Sequence, residues 1–188
     1  MKTAVLMIDL QNAYFEDPAL ASRQETVVEA ANLLLRTATA AQVPVLLVRT
    51  EHRRDRSTWT LSMLDDDQGF IFEGTEQAAY LPGLQTEGLE SIVKTRDSAF
   101  FGTDLAERLR RDGVERLVLA GVATHNCVAQ TAADAFAHNF RVVFAKDVIA
   151  STNEEYAGSM LQILSDEYRQ PVLGRGAIAE LLAGARER

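Results

Sequence analysis

The chain has 188 residues, 47% of them hydrophobic and 24% charged, which is typical of a globular domain and excludes disordered, collagen-like and coiled-coil chains. Nineteen Lys and Arg residues against 27 Asp and Glu residues give a net charge of −8, so we expect no nucleic-acid partner and no membrane partner. The one cysteine, Cys127, cannot form an internal disulfide, and the apolar run at residues 4–8 is too short for a signal peptide or a membrane span, so we expect a cytoplasmic protein.

Short apolar runs, which are typical of strands buried on both faces, alternate with amphipathic stretches along the chain. Capping-box patterns at Ser22 with Glu25 and at Thr152 with Glu155 each predict the start of a helix. The pattern predicts strands at residues 4–8, 43–48, 91–94, 117–120, 141–145 and 171–173. Further helices are predicted from about residue 103 to Gly113, over residues 127–138 and around residues 178–182.

This alternation of strands and helices indicates an open parallel sheet with helices on both faces. We therefore predict a single α/β domain over residues 1–188, built as a three-layer αβα sandwich. One segment, residues 50–90, breaks the alternation. A loop that long inside a domain is usually functional or forms an interface, so we expect an insertion that serves as a lid or a subunit contact.

Three residues of different chemistry follow three of the predicted strands. Asp9 ends the first strand, Lys94 ends the third, and Cys127 follows the fourth after a short turn. Ligands of open parallel sheets bind beyond the carboxyl ends of the strands, so these side chains are expected to meet at one pocket.

A thiol, an ammonium group and a carboxylate together can carry out nucleophilic catalysis. A thiolate attacks carbonyl carbon well, and the helix start and Lys94 are expected to lower the pKa of Cys127. Asp9 can accept the thiol proton and later deliver it to a departing amine. Backbone N–H groups of the turn before Cys127 can form an oxyanion hole.

Each of these residues also has an ordinary structural interpretation. A single cysteine is often a small buried hydrophobic residue, an aspartate after a strand is often a turn former, and a lysine at a strand end is often solvated. The functional interpretation depends on all three meeting in one place.

Three segments of the chain, residues 5–12, 94–103 and 119–128, resemble motifs of the isochorismatase-like cysteine hydrolase superfamily, which includes nicotinamidases and N-carbamoyl amidases. The resemblance implies a six-stranded parallel sheet of order 3-2-1-4-5-6. It also implies Asp9 as general base and acid, Lys94 as the supporting cation and Cys127 as nucleophile. A cis peptide bond between Val122 and Ala123 is implied, with the N–H groups of Ala123 and Cys127 forming the oxyanion hole.

The resemblance and the turn sequence also suggest residues that contact the substrate. Tyr14 falls where the family has an aromatic pocket wall, and Phe100 follows the lysine segment in a similar position. The turn residues Thr124 and His125 are candidates to line the same pocket, and Trp59 is a candidate to stack over the ligand.

An arginine-rich stretch replaces the metal motif that nicotinamidases carry after the second strand. Glu51, His52 and Asp55 lie there, but their spacing differs from the Asp-x-His motif of those enzymes. Positive charge disfavours a cation site, so we expect neither a metal nor another cofactor. The stretch either forms a solvated or subunit-interface loop or holds a substrate carboxylate; its arginines are Arg49, Arg53, Arg54 and Arg56.

The sequence therefore favours a metal-independent cysteine hydrolase that cleaves a C–N bond of a small molecule through a thioester. One alternative is isochorismatase-type ether hydrolysis without a covalent intermediate. Another is a ligand-binding protein without turnover. The family resemblance also suggests a homodimer or homotetramer.

Overall fold

A computed structural model, which describes residues 1–185, contains one six-stranded parallel sheet in the order β3-β2-β1-β4-β5-β6. This confirms the predicted fold class and strand order. The strands are β1 (Thr3–Ile8), β2 (Val45–Thr50), β3 (Glu90–Lys94), β4 (Arg116–Gly121), β5 (Arg141–Ile149) and β6 (Val172–Leu173).

The helices connect successive strands and cover both faces of the sheet. They are α1 (Pro18–Ala21), α2 (Gln24–Ala40), α3 (Leu61–Asp65), α4 (Leu105–Arg111), α5 (Ala129–Ala137), α6 (Glu154–Tyr168) and α7 (Arg175–Ala183). Within residues 1–185, no helix combines the length and the apolar content that crossing a membrane requires.

Alternate residues of the central strand β1 enter two separate hydrophobic cores. Val5 and Met7 pack in the core beneath α2 and α7, whereas Leu6 and Ile8 pack in the core beneath α4, α5 and α6. Successive strand residues point to opposite faces, so a strand covered on both sides must be apolar throughout. Burial on both faces therefore explains why the strand segments of the sequence are continuous apolar runs.

Neither predicted capping box forms. The N-cap residue of α2 is Arg23, and the Ser22 hydroxyl donates back into the short helix α1. Ser22 is unavailable as an N-cap because it already ends helix α1 as its C-cap residue. Helix α6 is capped by the side chain of Asn153, one residue after the predicted Thr152.

Gly121 ends β4 where the chain passes very close to β1. Its φ is 122°, and a Cβ atom there would lie 1.9 Å from the carbonyl oxygen of Ile8. That same oxygen accepts a 3.0 Å hydrogen bond from the N–H of Val122. Only glycine permits both the backbone conformation and the close approach.

The segment between β2 and β3 lies against the carboxyl ends of the strands. It contains α3 and a 3₁₀ turn (Glu76–Ala78), and an isolated bridge pairs Gln11 with Tyr80. The Arg96 guanidinium donates to the carbonyl oxygens of Thr58 and Trp59. These contacts hold the segment in place; its role as a lid or subunit contact stays a prediction.

Replacing Gly121 with alanine is expected to destabilise the protein by about 3 kcal/mol or more, because the new methyl group overlaps the backbone of β1. Chemical denaturation measures the effect. Gly158 is the matched control: it lies inside α6 with no atom within 4 Å of an added Cβ. Gly158→Ala is expected to stabilise the protein by about 0.5–1 kcal/mol. Equal effects of the two substitutions would contradict this account.

Candidate active site

The carboxyl ends of four neighbouring strands bring the predicted site residues together. Asp9 follows β1 in the left-handed conformation (φ 53°), Lys94 is the last residue of β3, and Cys127 lies in the turn after β4. All three side chains are buried. Strand β2 separates β1 from β3, and its last residue, Thr50, fills the gap between Asp9 and Lys94.

The Lys94 ammonium group lies at the centre of this cluster. Its Nζ atom is 2.8 Å from Asp9 Oδ2, 2.6 Å from Thr50 Oγ1 and 3.4 Å from Cys127 Sγ. One cation therefore contacts the carboxylate, the hydroxyl and the sulfur at once. The three residues that the sequence singled out are brought together.

The Thr50 hydroxyl fixes which oxygen of Asp9 is available. Thr50 Oγ1 accepts hydrogen bonds from Lys94 Nζ and from the Tyr14 hydroxyl at 3.1 Å. Its own hydrogen is then directed to Asp9 Oδ1, at 3.0 Å. Oδ2 lies 2.8 Å from Lys94 Nζ as an ion pair and receives no hydrogen bond from a hydroxyl or a backbone N–H of residues 1–185, so a lone pair remains to accept a proton.

Gln11 holds Thr50 in position through the backbone. Its amide nitrogen donates to the carbonyl oxygens of Thr50 and Ala78, both at 2.9 Å, and its amide oxygen accepts from the Thr50 N–H at 2.8 Å. The buried Gln11 side chain thus ties the end of β2 to the segment that follows it. Neither residue had been predicted from the sequence, although the position of Thr50 at the end of a strand could have indicated it.

Burial sets the protonation of the nucleophile. It raises the pKa of the Cys127 thiol well above its ordinary value; the negative charge of Asp9 adds to the rise and Lys94 opposes it. The expected net lowering of this pKa is therefore wrong: Lys94 does lower it, but desolvation outweighs that effect. Cys127 rests as a thiol, and its Sγ lies 3.8 Å from Oδ1 of the exposed Asp97.

The neighbouring groups keep their usual protonated forms. Burial lowers the pKa of Lys94, but the negative charge of Asp9 and the contact with the Cys127 sulfur outweigh it and the net shift is upward. Lys94 is therefore charged at neutral pH. Burial and the charge of Asp9 raise the pKa of Tyr14 well above its ordinary value, so its hydroxyl stays a donor to Thr50.

The turn before Cys127 has the backbone form that the resemblance implies. The peptide bond between Val122 and Ala123 is cis, and a π-helical turn (Thr124–Val128) carries the cysteine. The Ala123 N–H donates to no group within residues 1–185. An oxyanion hole formed by the Ala123 and Cys127 amides stays a prediction.

Thr124 and His125 hold this turn against the next strand end. The N–H and hydroxyl of Thr124 both donate to the carbonyl oxygen of Ala150, at 2.9 and 3.0 Å. His125 Nδ1 lies 2.5 Å from the Ser151 hydroxyl. These contacts support the turn, and neither residue is among those that line the cavity beside Lys94, so their contact with a substrate stays a prediction.

A cavity of about 450 Å³ opens beside Lys94. This volume suits a small ligand. The segment between β2 and β3 supplies about half of its wall. The lining residues are Tyr14, Thr50, His52, Thr60, Ser62, Met63, Asp66, Gln68, Phe70, Lys94, Thr95, Arg96 and Asp97. Tyr14 thus lies where it was predicted, whereas Arg96 and Asp97 had not been predicted.

Trp59 and Phe100 lie outside this lining. The Trp59 ring packs 6.1 Å from the Phe72 ring, and its Nε1 donates to the Arg53 carbonyl. Phe100 packs 6.0 Å from Phe140, in the core beneath α5. Both aromatic rings thus pack against other aromatic rings, and their contact with a substrate stays a prediction.

The arginine-rich stretch makes contacts within its own segment. Arg49 pairs with Glu51, and Arg56 pairs with Asp67 and lies over the Trp59 ring. Within residues 1–185, no group of three His, Cys, Asp or Glu side chains could share a metal ion. Glu51, His52 and Asp55 do not converge, so the residues present do not fit the metal site of nicotinamidases.

A larger cavity, of about 710 Å³, lies between α2 and α7. It is lined by charged residues such as Arg36, Lys146 and Asp147 and by none of the residues around Lys94. The smaller cavity, which Lys94, Thr50 and Tyr14 line, is therefore the one next to the cluster.

Comparison with known proteins agrees with this arrangement. A sequence profile described as "Isochorismatase domain" matches residues 3–171. A protein of Arabidopsis thaliana named "probable inactive nicotinamidase" is 31% identical over 181 residues, covering 91% of this chain and 92% of that protein. Maleamate amidohydrolase of Pseudomonas putida is 30% identical over 196 residues, covering 97% and 89%. The crystal structure of an isochorismatase family protein from Desulfovibrio vulgaris has a TM-score of 0.83 and 32% identity, covering 97% and 98%.

The raised thiol pKa predicts slow alkylation of Cys127 at neutral pH and faster alkylation as the pH rises, because only the thiolate reacts. Asp9→Asn removes a negative charge and is expected to move the midpoint of the alkylation rate against pH to lower pH. Lys94→Met removes a positive charge and is expected to move it to higher pH. The measurement is the rate of iodoacetamide modification against pH.

Two controls accompany this titration. Cys127→Ala must take up no label, since the chain has one cysteine. Asp97→Asn is expected to lower the midpoint less than Asp9→Asn does, because Asp97 contributes least among the causes of the raised thiol pKa. An unchanged or higher midpoint in Asp9→Asn would contradict the assigned electrostatics.

Proposed function

Because this chain belongs to the isochorismatase family of hydrolases, we propose that it is a metal-independent cysteine hydrolase that cleaves a C–N bond of a small molecule through a thioester. The observation that carries the proposal is the contact of one buried ammonium group, Lys94 Nζ, with both Asp9 Oδ2 at 2.8 Å and Cys127 Sγ at 3.4 Å.

In the first step, Cys127 Sγ attacks the carbonyl carbon of the substrate and its proton passes to Asp9 Oδ2. Lys94 supports the developing thiolate, because its charge lies in contact with the sulfur. The resting thiol avoids the cost of a buried anion until the substrate arrives. In the tetrahedral intermediate, the carbonyl oxygen carries the negative charge, which the Ala123 and Cys127 amides stabilise.

In the second step, the intermediate collapses, the C–N bond breaks and the departing nitrogen takes the proton from Asp9. The products are a thioester on Cys127 and a free amine or ammonia. Water then attacks the thioester carbon and gives one proton to Asp9. Collapse of this second intermediate breaks the C–S bond, returns the proton to sulfur and releases the acid.

The names of the relatives support an amide as the substrate. Maleamate amidohydrolase is named for a small amide, and the Arabidopsis relative is named as a nicotinamidase, though a probably inactive one. Activity in this chain therefore rests on its own residues, and here a buried carboxylate, ammonium and thiol are present together. A metal-assisted route is not proposed because the donor side chains after β2 do not converge.

Replacement of Cys127 with alanine is expected to lower amine release by about 10³-fold or more, because no thioester can form. Asp9→Asn is expected to cause a similar loss, since the buried carboxylate that carries the proton is then absent. The assay is ammonia or amine release from a panel of primary amides, ureides, cyclic amides and imides.

The control is Asp112→Asn, which changes an exposed carboxylate in the same way and is expected to leave the rate unchanged. Thermal unfolding of each variant reports its fold. If Cys127→Ala kept the wild-type rate while Asp9→Asn lost it, the thioester would be abandoned in favour of hydrolysis without a covalent intermediate.

A further inference from the structure

His52 is a buried histidine at the wall of the cavity, two residues after the end of β2. The residue is 2% exposed and lines the cavity beside Lys94. Its backbone N–H donates to the Ile71 carbonyl oxygen at 2.9 Å, and its carbonyl accepts from the Glu73 N–H at 3.0 Å. The backbone on both sides of the ring is therefore fixed.

The hydrogen bond of one ring nitrogen fixes the tautomer of His52. Nδ1 lies 2.9 Å from the carbonyl oxygen of Thr58. A carbonyl oxygen can only accept, so Nδ1 carries the hydrogen. Nε2 has no partner within residues 1–185 and keeps its lone pair when the ring is neutral.

The surroundings of His52 favour the neutral ring. Burial lowers its pKa, the charges of Arg96 and Lys94 lower it further, and the hydrogen bond to the Thr58 carbonyl opposes them in part. The carboxylates that line the same cavity are Asp66 and Asp97. At neutral pH the ring therefore carries no positive charge, and its Nε2 atom is a hydrogen-bond acceptor.

The spacing along the chain sets how far His52 lies from Thr50. Residues two apart in an extended chain point to the same face and lie about 7 Å apart, at roughly 3.3 Å per residue. The Thr50 hydroxyl contacts Lys94 Nζ, and the His52 ring, two residues further along the chain, lines the same cavity as Lys94. The apolar side chains of Met63 and Phe70 form part of the wall around it.

We propose that His52 Nε2 accepts a hydrogen bond from an N–H or O–H group at the end of the substrate remote from the scissile bond. This inference rests on the proposed function and narrows it to flat, ring-sized amides that carry such a donor. A ring that presents an acceptor at the same place is disfavoured, because two lone pairs would then face each other in a buried site.

Three ring amides of similar size test this selectivity. In its ring, pyrrole-3-carboxamide carries an N–H donor, thiophene-3-carboxamide carries no nitrogen, and pyridine-3-carboxamide carries an acceptor nitrogen. Their affinities are measured by titration calorimetry on Cys127→Ala protein, which cannot turn them over by the proposed route. The pyrrole amide is expected to bind about tenfold more tightly than the other two.

Two substitutions in the Cys127→Ala background separate recognition from structure. His52→Asn can keep a donor to the Thr58 carbonyl but has no atom at the place of Nε2, so the tenfold preference is expected to fall to about twofold or less. His52→Gln restores an acceptor near that place and is expected to recover part of the preference. Similar melting temperatures for both variants show that the turn is intact.

The outcomes distinguish this inference from the proposed function. The donor preference would be overturned if Cys127→Ala protein that keeps His52 bound the three amides with equal affinity, or bound none of them detectably. A preference that survives the added His52→Asn substitution would overturn it as well. Hydrolysis of all three amides at equal kcat/KM by the unmodified protein would overturn it while the hydrolase proposal stands. A binding preference for the pyrrole amide that depends on His52, together with no amine release from any amide, would support the inference and overturn the hydrolase proposal.

Discussion

A lysine ammonium group enclosed by protein is the constraint on which the rest of this site depends. The side chains of Lys94 and Asp9 are 1% and 0% exposed and form an ion pair. Removing one partner of a buried pair typically costs about 3–5 kcal/mol, because the remaining charge has no compensation. Well-packed apolar residues often stabilise a fold as much as such a pair does. We therefore infer that the pair is kept for the charge that it brings to Cys127.

The requirements of this buried charge explain the residues around it. Thr50 supplies the hydroxyl that Lys94 needs as a second acceptor, and Gln11 fixes the backbone of Thr50. The strand order places the ends of β3, β2, β1 and β4 side by side, so that each contributes to the cluster. Gly121 allows β4 to approach β1 closely just before the turn that carries Cys127. Fold and chemistry thus depend on the same strand ends.

The sequence predicted the parts of the protein that follow a period or a motif. Apolar runs located the strands, and the residues after three of them located Asp9, Lys94 and Cys127. The predicted direction of the shift in the thiol pKa was wrong, because desolvation depends on the complete packing around the sulfur. The contacts of Trp59 and His52 could not be predicted, because the segment after β2 has no regular hydrophobic period. Both side chains bond to backbone carbonyl oxygens whose positions depend on an irregular chain path.

The central claim is that Cys127 becomes acylated during turnover, and mass spectrometry of the acid-quenched protein tests it most directly. The protein is mixed with an amide that it hydrolyses, and the reaction is quenched within the first turnovers. The account predicts that the peptide containing Cys127 gains the mass of the acyl group, and that the gain disappears as the substrate is consumed. Amine release at full rate with the Cys127 peptide unmodified at every time point would contradict it.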